Sequence, residues 1–151
     1  MAAAQDEESG VSLRFELGQR LRAFEAAWES ADADARKRSV PALKKAVNQF
    51  FTLRAWDVAA TLDAARFALE HPGEPPAAVR WASSLAVIPH ARLLDPSDGN
   101  LKVRVESLYE VKAIDGKTTL RLRLESPAGR TVASLESNIA VPAIQRELSI
   151  K

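Results

Sequence analysis

The chain has 151 residues, 46% of them hydrophobic and 27% charged, the proportions of a soluble globular protein with one ordinary domain or two small ones. Its 21 basic and 20 acidic side chains balance within each half, 12 against 12 before Leu94 and 9 against 8 after it, so no global field holds nucleic acid or anionic lipid. The absence of cysteine excludes a disulfide framework, thiolate zinc, iron–sulfur clusters and a cysteine nucleophile, and no apolar run approaches the ~20 residues of a membrane helix.

Residues 1–11 read as a disordered polar tail. Met-Ala-Ala-Ala-Gln-Asp-Glu-Glu-Ser-Gly has no basic and no apolar leader region. It resembles the segment just after a signal-peptidase cut, with Met1 an added start, which points to an exported protein. A polar tail on a cytoplasmic protein is the other reading.

A helical unit is expected over residues 12–71. Leu13, Leu17, Leu21, Phe24 and Trp28 stack on one face of a helix over 12–30, with Arg14, Gln19, Arg22, Glu25 and Glu29 on the other. Ala31-Asp32-Ala33-Asp34 supplies a turn and an N-cap for a second helix reaching about Phe51. Its regular part is expected from near Ser39, so that Pro41 falls in the first turn, and its buried stripe is Leu43, Val47, Phe50 and Phe51. The basic Arg36-Lys37-Arg38 and Lys44-Lys45, with Asp32 and Asp34 nearby, read as a solvated face.

The third helix, residues 54–70, carries two apolar faces. At about 100° per residue, Val58, Leu62, Ala65 and Leu69 cluster on one side and Trp56, Ala60, Ala64 and Phe67 on the other. Arg54, Asp57 and Thr61 fill one seam; Asp63, Arg66 and Glu70 fill the other. Such a helix sits between two layers. Phe51, Ala60 and Pro72 match positions of a tetratricopeptide repeat, but no second copy follows, and an array needs about three. His71 caps the helix, and residues 72–76, Pro-Gly-Glu-Pro-Pro, form a linker to a short connecting helix over 77–86 containing Trp81.

From Val87 the period changes to two. Leu101, Val103 and Val105 alternate with Lys102, Arg104 and Glu106; Leu120, Leu122 and Leu124 alternate with Arg121, Arg123 and Glu125; Leu148 and Ile150 alternate with Glu147 and Ser149. Turn signals at residues 95–100, Asp115-Gly116 and 126–129 separate these runs. Residues 87–151 are therefore expected to form a small antiparallel β-sandwich of Ig-like type.

Signals for chemistry are weak. Gly116-Lys117-Thr118 copies the end of a phosphate-binding loop, but Val111 stands where its first glycine belongs and a strand follows. Asp95, Asp98 and Gly99 lack the spacing of a calcium loop. The two histidines, His71 and His90, belong to no metal-binding pair. No Gly-x-Ser-x-Gly elbow and no dinucleotide loop exist. Eight of the nine aromatic residues precede the strands, leaving Tyr109 alone in the sheet region, so no platform for stacking sugars or bases forms there.

The order Leu21-Arg22-Ala23-Phe24-Glu25-Ala26-Ala27-Trp28-Glu29, Val40-Pro41-Ala42-Leu43-Lys44-Lys45-Ala46-Val47, Ala64-Ala65-Arg66-Phe67-Ala68-Leu69, Arg80-Trp81-Ala82-Ser83-Ser84-Leu85 and Arg92-Leu93-Leu94-Asp95 resembles the N-terminal non-catalytic region of exported bacterial α/β-hydrolase-type proteins. There a helical segment and a small β-sandwich precede the catalytic domain. The resemblance implies an accessory module and transfers no catalytic residue.

These readings converge on an α+β protein, with a three-helix N-terminal unit packed on the small sandwich. The expected function is a non-catalytic accessory or protein-interaction module with no cofactor and no metal. Its partner is a protein, either a catalytic domain of the same chain or a separate one, with no nucleic acid and no membrane insertion. Trp56, Phe67, Trp81 and Tyr109 are the interface or pocket residues. The alternative is a small apolar-ligand-binding protein, with those four lining a pocket between helix 3 and the sheet. A third reading, an enzyme, needs His90 and a carboxylate such as Asp95 close together.

Overall fold

The computed structural model describes residues 2–52, 54–90, 99–111, 116–141 and 145–150, with side chains over 13–52, 54, 56–90, 99–111 and 116–138. The elements run α1 (Ala2–Ser30), α2 (Ala33–Phe51), α3 (Ala55–Glu70), α4 (Ala77–Ser84), β1 (Leu85–Pro89), β2 (Leu101–Ser107), β3 (Gly116–Glu125), β4 (Thr131–Val141) and β5 (Gln145–Ile150). The chain is thus α+β. It divides into a helical unit, Met1–Ser84 with Leu108–Glu110, and a strand-bearing unit, Leu85–Ser107 with Val111–Lys151.

In the helical unit, α1 and α2 both pack on α3. Val58, Leu62, Ala65 and Leu69 are buried, as the first face of the third helix requires. They join two apolar clusters. Phe24, Ala65 and Leu69 gather Trp28, Ala42 and Leu43 near the α1–α2 turn. Ala46, Val58 and Leu62 gather Leu17 further along. The second face of α3 is broken: Phe67 is buried, but Trp56 and Ala64 are exposed. Thr61 and Asp63, expected in the polar seams, are buried instead.

Two expectations for α2 are corrected. The helix starts at Ala33, not near Ser39, so Pro41 lies in its interior, where it provides no N–H for the helical ladder. Contacts on both sides of the turn hold the residues before the proline helical. Asp32 Oδ1 accepts from the Ala35 N–H at 2.7 Å. Arg36 donates from Nε to the Trp28 carbonyl at 3.0 Å, closing the end of α1 while its guanidinium lies over the Trp28 ring.

The second correction concerns the stripe of Leu43, Val47, Phe50 and Phe51, which is not core. Leu43 is half-buried, while Val47, Phe50 and Phe51 are exposed, Phe51 by 78%. The buried residues of α2 are the small Ala35, Ser39 and Ala46. Their spacing of four and seven puts them on one line, and without bulk there α2 comes close enough for Ser39 Oγ to donate to the Ala65 carbonyl at 2.8 Å. The large side chains are left to one side of that line, Leu43 and Phe50 at its edge and Val47 and Phe51 about 100° or more around the helix.

His71 caps α3, its N–H donating to the Phe67 carbonyl at 2.8 Å, as expected. Trp81 and Ser84 are the buried residues of α4. Leu108, buried, donates its N–H to the Ser84 carbonyl at 2.8 Å, which ties residues 108–110 to the helices.

The strand-bearing unit has two antiparallel sheets, one ordered β1-β2-β5 and one made of β3-β4. β2, β3 and β5 fall on the alternating stretches and β4 follows the turn at 126–129, while β1 begins at Leu85, inside the range expected for the connecting helix. In β2, Val103 and Val105 are buried while Lys102 is exposed. In β3, Leu122 is buried and Arg121, Arg123 and Glu125 are exposed, with Arg121 paired to Glu136 across the ladder. Gly129, at a φ of 76°, takes the left-handed position that closes the β3–β4 turn, its N–H donating to the Ser126 carbonyl at 2.8 Å. Gly116-Lys117-Thr118 opens β3 and is followed by strand. Among the described residues, no helix is long and apolar enough to cross a membrane.

The account of α2 makes opposite predictions for two substitutions. Pro41→Ala restores a ladder hydrogen bond at an exposed position and raises unfolding free energy by about 2 kcal/mol, net of the greater freedom of the unfolded chain. Asp32→Ala removes the cap and lowers it by about 1 kcal/mol. Urea midpoints at constant slope measure both.

Candidate functional site

Two features of the helical unit stand out, one polar and buried, the other apolar and open. The first is centred on Arg20, 8% exposed, on the inward side of α1. Its guanidinium donates from Nη1 to Glu16 Oε2 at 2.7 Å, from Nε to Asp63 Oδ2 at 3.1 Å, and from Nη2 to the Ser83 carbonyl at 2.7 Å. One side chain thereby joins α1, α3 and α4. Asp63 is itself 4% exposed, and the same Oδ2 accepts from the Tyr109 hydroxyl at 2.7 Å. Arg66 adds a bond from Nη2 to Ser83 Oγ at 3.1 Å.

The buried charges in this cluster are opposed and hydrogen-bonded, which is the condition for keeping them out of water. Burial first, then the hydrogen bond to Asp63 and its negative charge, push the Tyr109 hydroxyl well above the ordinary phenol range; Arg20 and Arg66 oppose this. A phenol held protonated and spent on a structural carboxylate is no general base. The arrangement cross-links helices.

The second feature is a groove. Where α1 and α2 join, Phe24, Ala65 and Leu69 close the space between the helices. Further from the turn, a cavity of about 450 Å³ lies between them. Leu17, Gly18 and Leu21 of α1 form one wall, with Arg14 at its end. Leu43, Ala46, Val47, Phe50 and Phe51 of α2 form the other, and Val58 and Leu62 of α3 also line it. Leu21, Val47, Phe50 and Phe51 are exposed to solvent within or beside this cavity. The Phe50 and Phe51 rings meet edge to face, with centroids 5.9 Å apart. Among the described residues of the lining, only Arg14 carries a polar side chain.

The four residues expected to form an interface or pocket differ in burial and in partners. Trp56 is 44% exposed at the start of α3. Phe67 is buried, with the Arg66 guanidinium 4.9 Å from its ring centre. Trp81 is buried in α4 with its Nε1 lacking a hydrogen-bond partner. Tyr109 is half-buried and bound to Asp63. None of the four lines the groove. His90 is exposed just past β1, its N–H donating to the Lys102 carbonyl, and Asp95 lies outside the described residues. Among the described residues, no group of three histidine or carboxylate side chains is placed to hold a metal.

No protein-family model, no curated protein and no solved structure matches the chain.

Sequence reasoning missed Glu16, Arg20 and Gly18. A signal existed: Glu16 and Arg20, four apart, fall at helical spacing among Leu13, Leu17 and Phe24, inside the apolar stripe rather than opposite it. No comparable signal links Asp63 to Tyr109, 46 residues further on.

The cluster predicts that Asp63→Ala, which strands Arg20 and Tyr109, lowers unfolding free energy by about 3–5 kcal/mol. Tyr109→Phe removes one bond at a cost of about 1–2 kcal/mol in denaturant titrations. Above the ordinary phenol pKa of about 10, the unfolded chain releases the Tyr109 proton and the folded chain retains it. This hydroxyl's contribution to stability is therefore whole below that pH and is lost as pH rises further. Melting temperature across the alkaline range falls less steeply in Tyr109→Phe. Tyr109 is the single tyrosine of the chain, so tyrosinate absorbance reports its ionisation directly.

Proposed function

We propose that this chain is a non-catalytic protein-interaction module, serving as an accessory to an enzyme domain of exported hydrolase type, and that it binds through the groove of α1, α2 and α3. The observation that carries this reading is the exposure of Leu21, Val47, Phe50 and Phe51 around one apolar cavity. Covering a side chain of this size is worth about 1.5–3 kcal/mol, and contiguous exposed apolar surface marks interaction sites on soluble proteins. For the strand-bearing unit we propose a reduced Ig-like sandwich. Its support is the alternating burial in β2 and β3 on two separate antiparallel sheets.

The second reading, a protein that binds a small apolar ligand, is supported by the cavity volume of about 450 Å³, within the roughly 300–1,000 Å³ of such sites. Against it stands the lining. Small-molecule pockets use a few convergent polar groups to orient the ligand, and here Arg14 alone is polar among the described lining residues.

Selection of helical peptides from a display library on the immobilised full chain tests the proposal. Binders are expected to lose affinity by about tenfold or more on Val47→Asp or Phe50→Asp, as lost burial of one anchor implies. Both positions are exposed, so melting temperature should stay within a few degrees. If no selected peptide responds to either substitution, while an anilinonaphthalene dye binds and is expelled by both, the groove belongs to a small ligand.

A further inference from the structure

We propose that the occupant of the groove is an amphipathic α-helix whose apolar stripe is flanked by acidic side chains. This deepens the function proposed above and rests on it. Three independent observations point to that chemistry.

The first is the architecture of the walls. The groove lies between two helices that both rest on a third, and its lining recurs at helical spacing: Leu17, Gly18 and Leu21 on one side, Leu43, Val47 and Phe50 on the other. Side chains three and four apart on a helix form ridges that fit between such rows. A helix laid in the groove presents anchors at i, i+3, i+4 and i+7, the recognised mode of helix-in-groove binding.

The second is Gly18. It lies inside α1, where a glycine weakens a helix relative to alanine. A Cβ built there meets no atom within 4 Å, so nothing within the described fold requires its small size. Its place in the groove wall provides a reason. Without a side chain at that point, the backbone of an incoming helix can approach α1 closely.

The third is the charge around the opening. Arg14 lines the groove, and helical spacing places Arg22 one turn beyond Gly18 and Lys44 one turn before Val47. All three are exposed, and none forms an ion pair with a described residue. Among the described residues, most of the carboxylates nearby are otherwise engaged. Glu16 is turned inward to Arg20 and Asp57 pairs with Arg54, while Glu25 lies one turn beyond Leu21, toward the closed end, so three cations face one carboxylate around the opening. A positive rim on an apolar groove selects a partner with negative flanks and sets its orientation.

Two synthetic helical peptides of about 18 residues, long enough for five turns, test this against the full chain. They share leucine and phenylalanine anchors and differ only in carrying glutamate or lysine beside the stripe. By fluorescence anisotropy at low ionic strength, the glutamate peptide is expected to bind about tenfold tighter or better, with the difference shrinking as salt shortens the reach of the rim charges. Paired Arg14→Glu and Lys44→Glu substitutions should reverse the preference. Gly18→Leu should weaken both peptides while leaving the melting temperature unchanged or higher, a result a merely structural glycine would not give. Equal binding of the two peptides, or a preference unmoved by the paired substitutions, overturns the acidic flank and leaves the interaction module standing. Full binding to Gly18→Leu overturns the close-packed helix. If neither peptide binds while display selection still yields groove-dependent binders, the helical occupant is wrong and the proposed function survives. If both experiments fail, the proposed function falls as well.

Discussion

The helical unit depends on one buried guanidinium. Arg20 holds Glu16 of its own helix, Asp63 of α3 and the Ser83 carbonyl of α4, and Asp63 extends the reach to Tyr109. Each partner satisfies a group that would be costly to bury alone, so the set is stable only when complete. The geometry also sets the rotation of α1. With Glu16, Arg20 and Phe24 turned inward, Leu21 lies about 100° away from Arg20 and comes to the surface. Gly18 and Arg14 share that outer side. The wall of the groove is therefore a consequence of where the polar cluster places the helix.

The other wall arises from packing without charge. α2 meets α3 through Ala35, Ser39 and Ala46, and the Ser39–Ala65 hydrogen bond confirms how closely the backbones approach. Small residues in that line allow the contact that a stripe of leucine and phenylalanine would prevent. The large apolar residues of α2 are consequently displaced to one flank of the α2–α3 contact, where they line the groove with Val58 and Leu62. Surface that a sequence reader assigns to the core becomes binding surface, because the closest packing partner on α2 is the small face.

Much of the local structure was legible. The Asp32 cap, the His71 terminus, the connecting helix with Trp81 and the period-two strands all express rules that act within a few residues of one another. The first helical stripe was only partly right: α1 starts at Ala2 within the expected tail, and Leu21 is exposed while Glu16 and Arg20 are buried. The start of α2 was misread because Pro41 is a strong local signal against a helix interior, and the contacts that outweigh it come from Arg36 and the buried Ala35 and Ser39. The site was less legible. Trp56, Phe67, Trp81 and Tyr109 attracted attention as large rings, yet none of them lines the groove. The groove instead uses aliphatic residues and two phenylalanines that the same reasoning placed in the core.

The sequence by itself determined where helices give way to strands, which residues cap and turn the chain, and which chemistries the absent cysteines and missing motifs remove. Those properties follow from backbone preference and from periodicity, which need only neighbours along the chain. Tertiary structure alone decided which face of each helix is covered. Periodicity shows that a helix has an apolar side, but the choice between Ala35–Ser39–Ala46 and Val47–Phe50–Phe51 depends on the shape of α3. The meeting of Arg20, Asp63 and Tyr109 likewise depends on residues 43 and 46 positions apart being brought together, and no local preference encodes that.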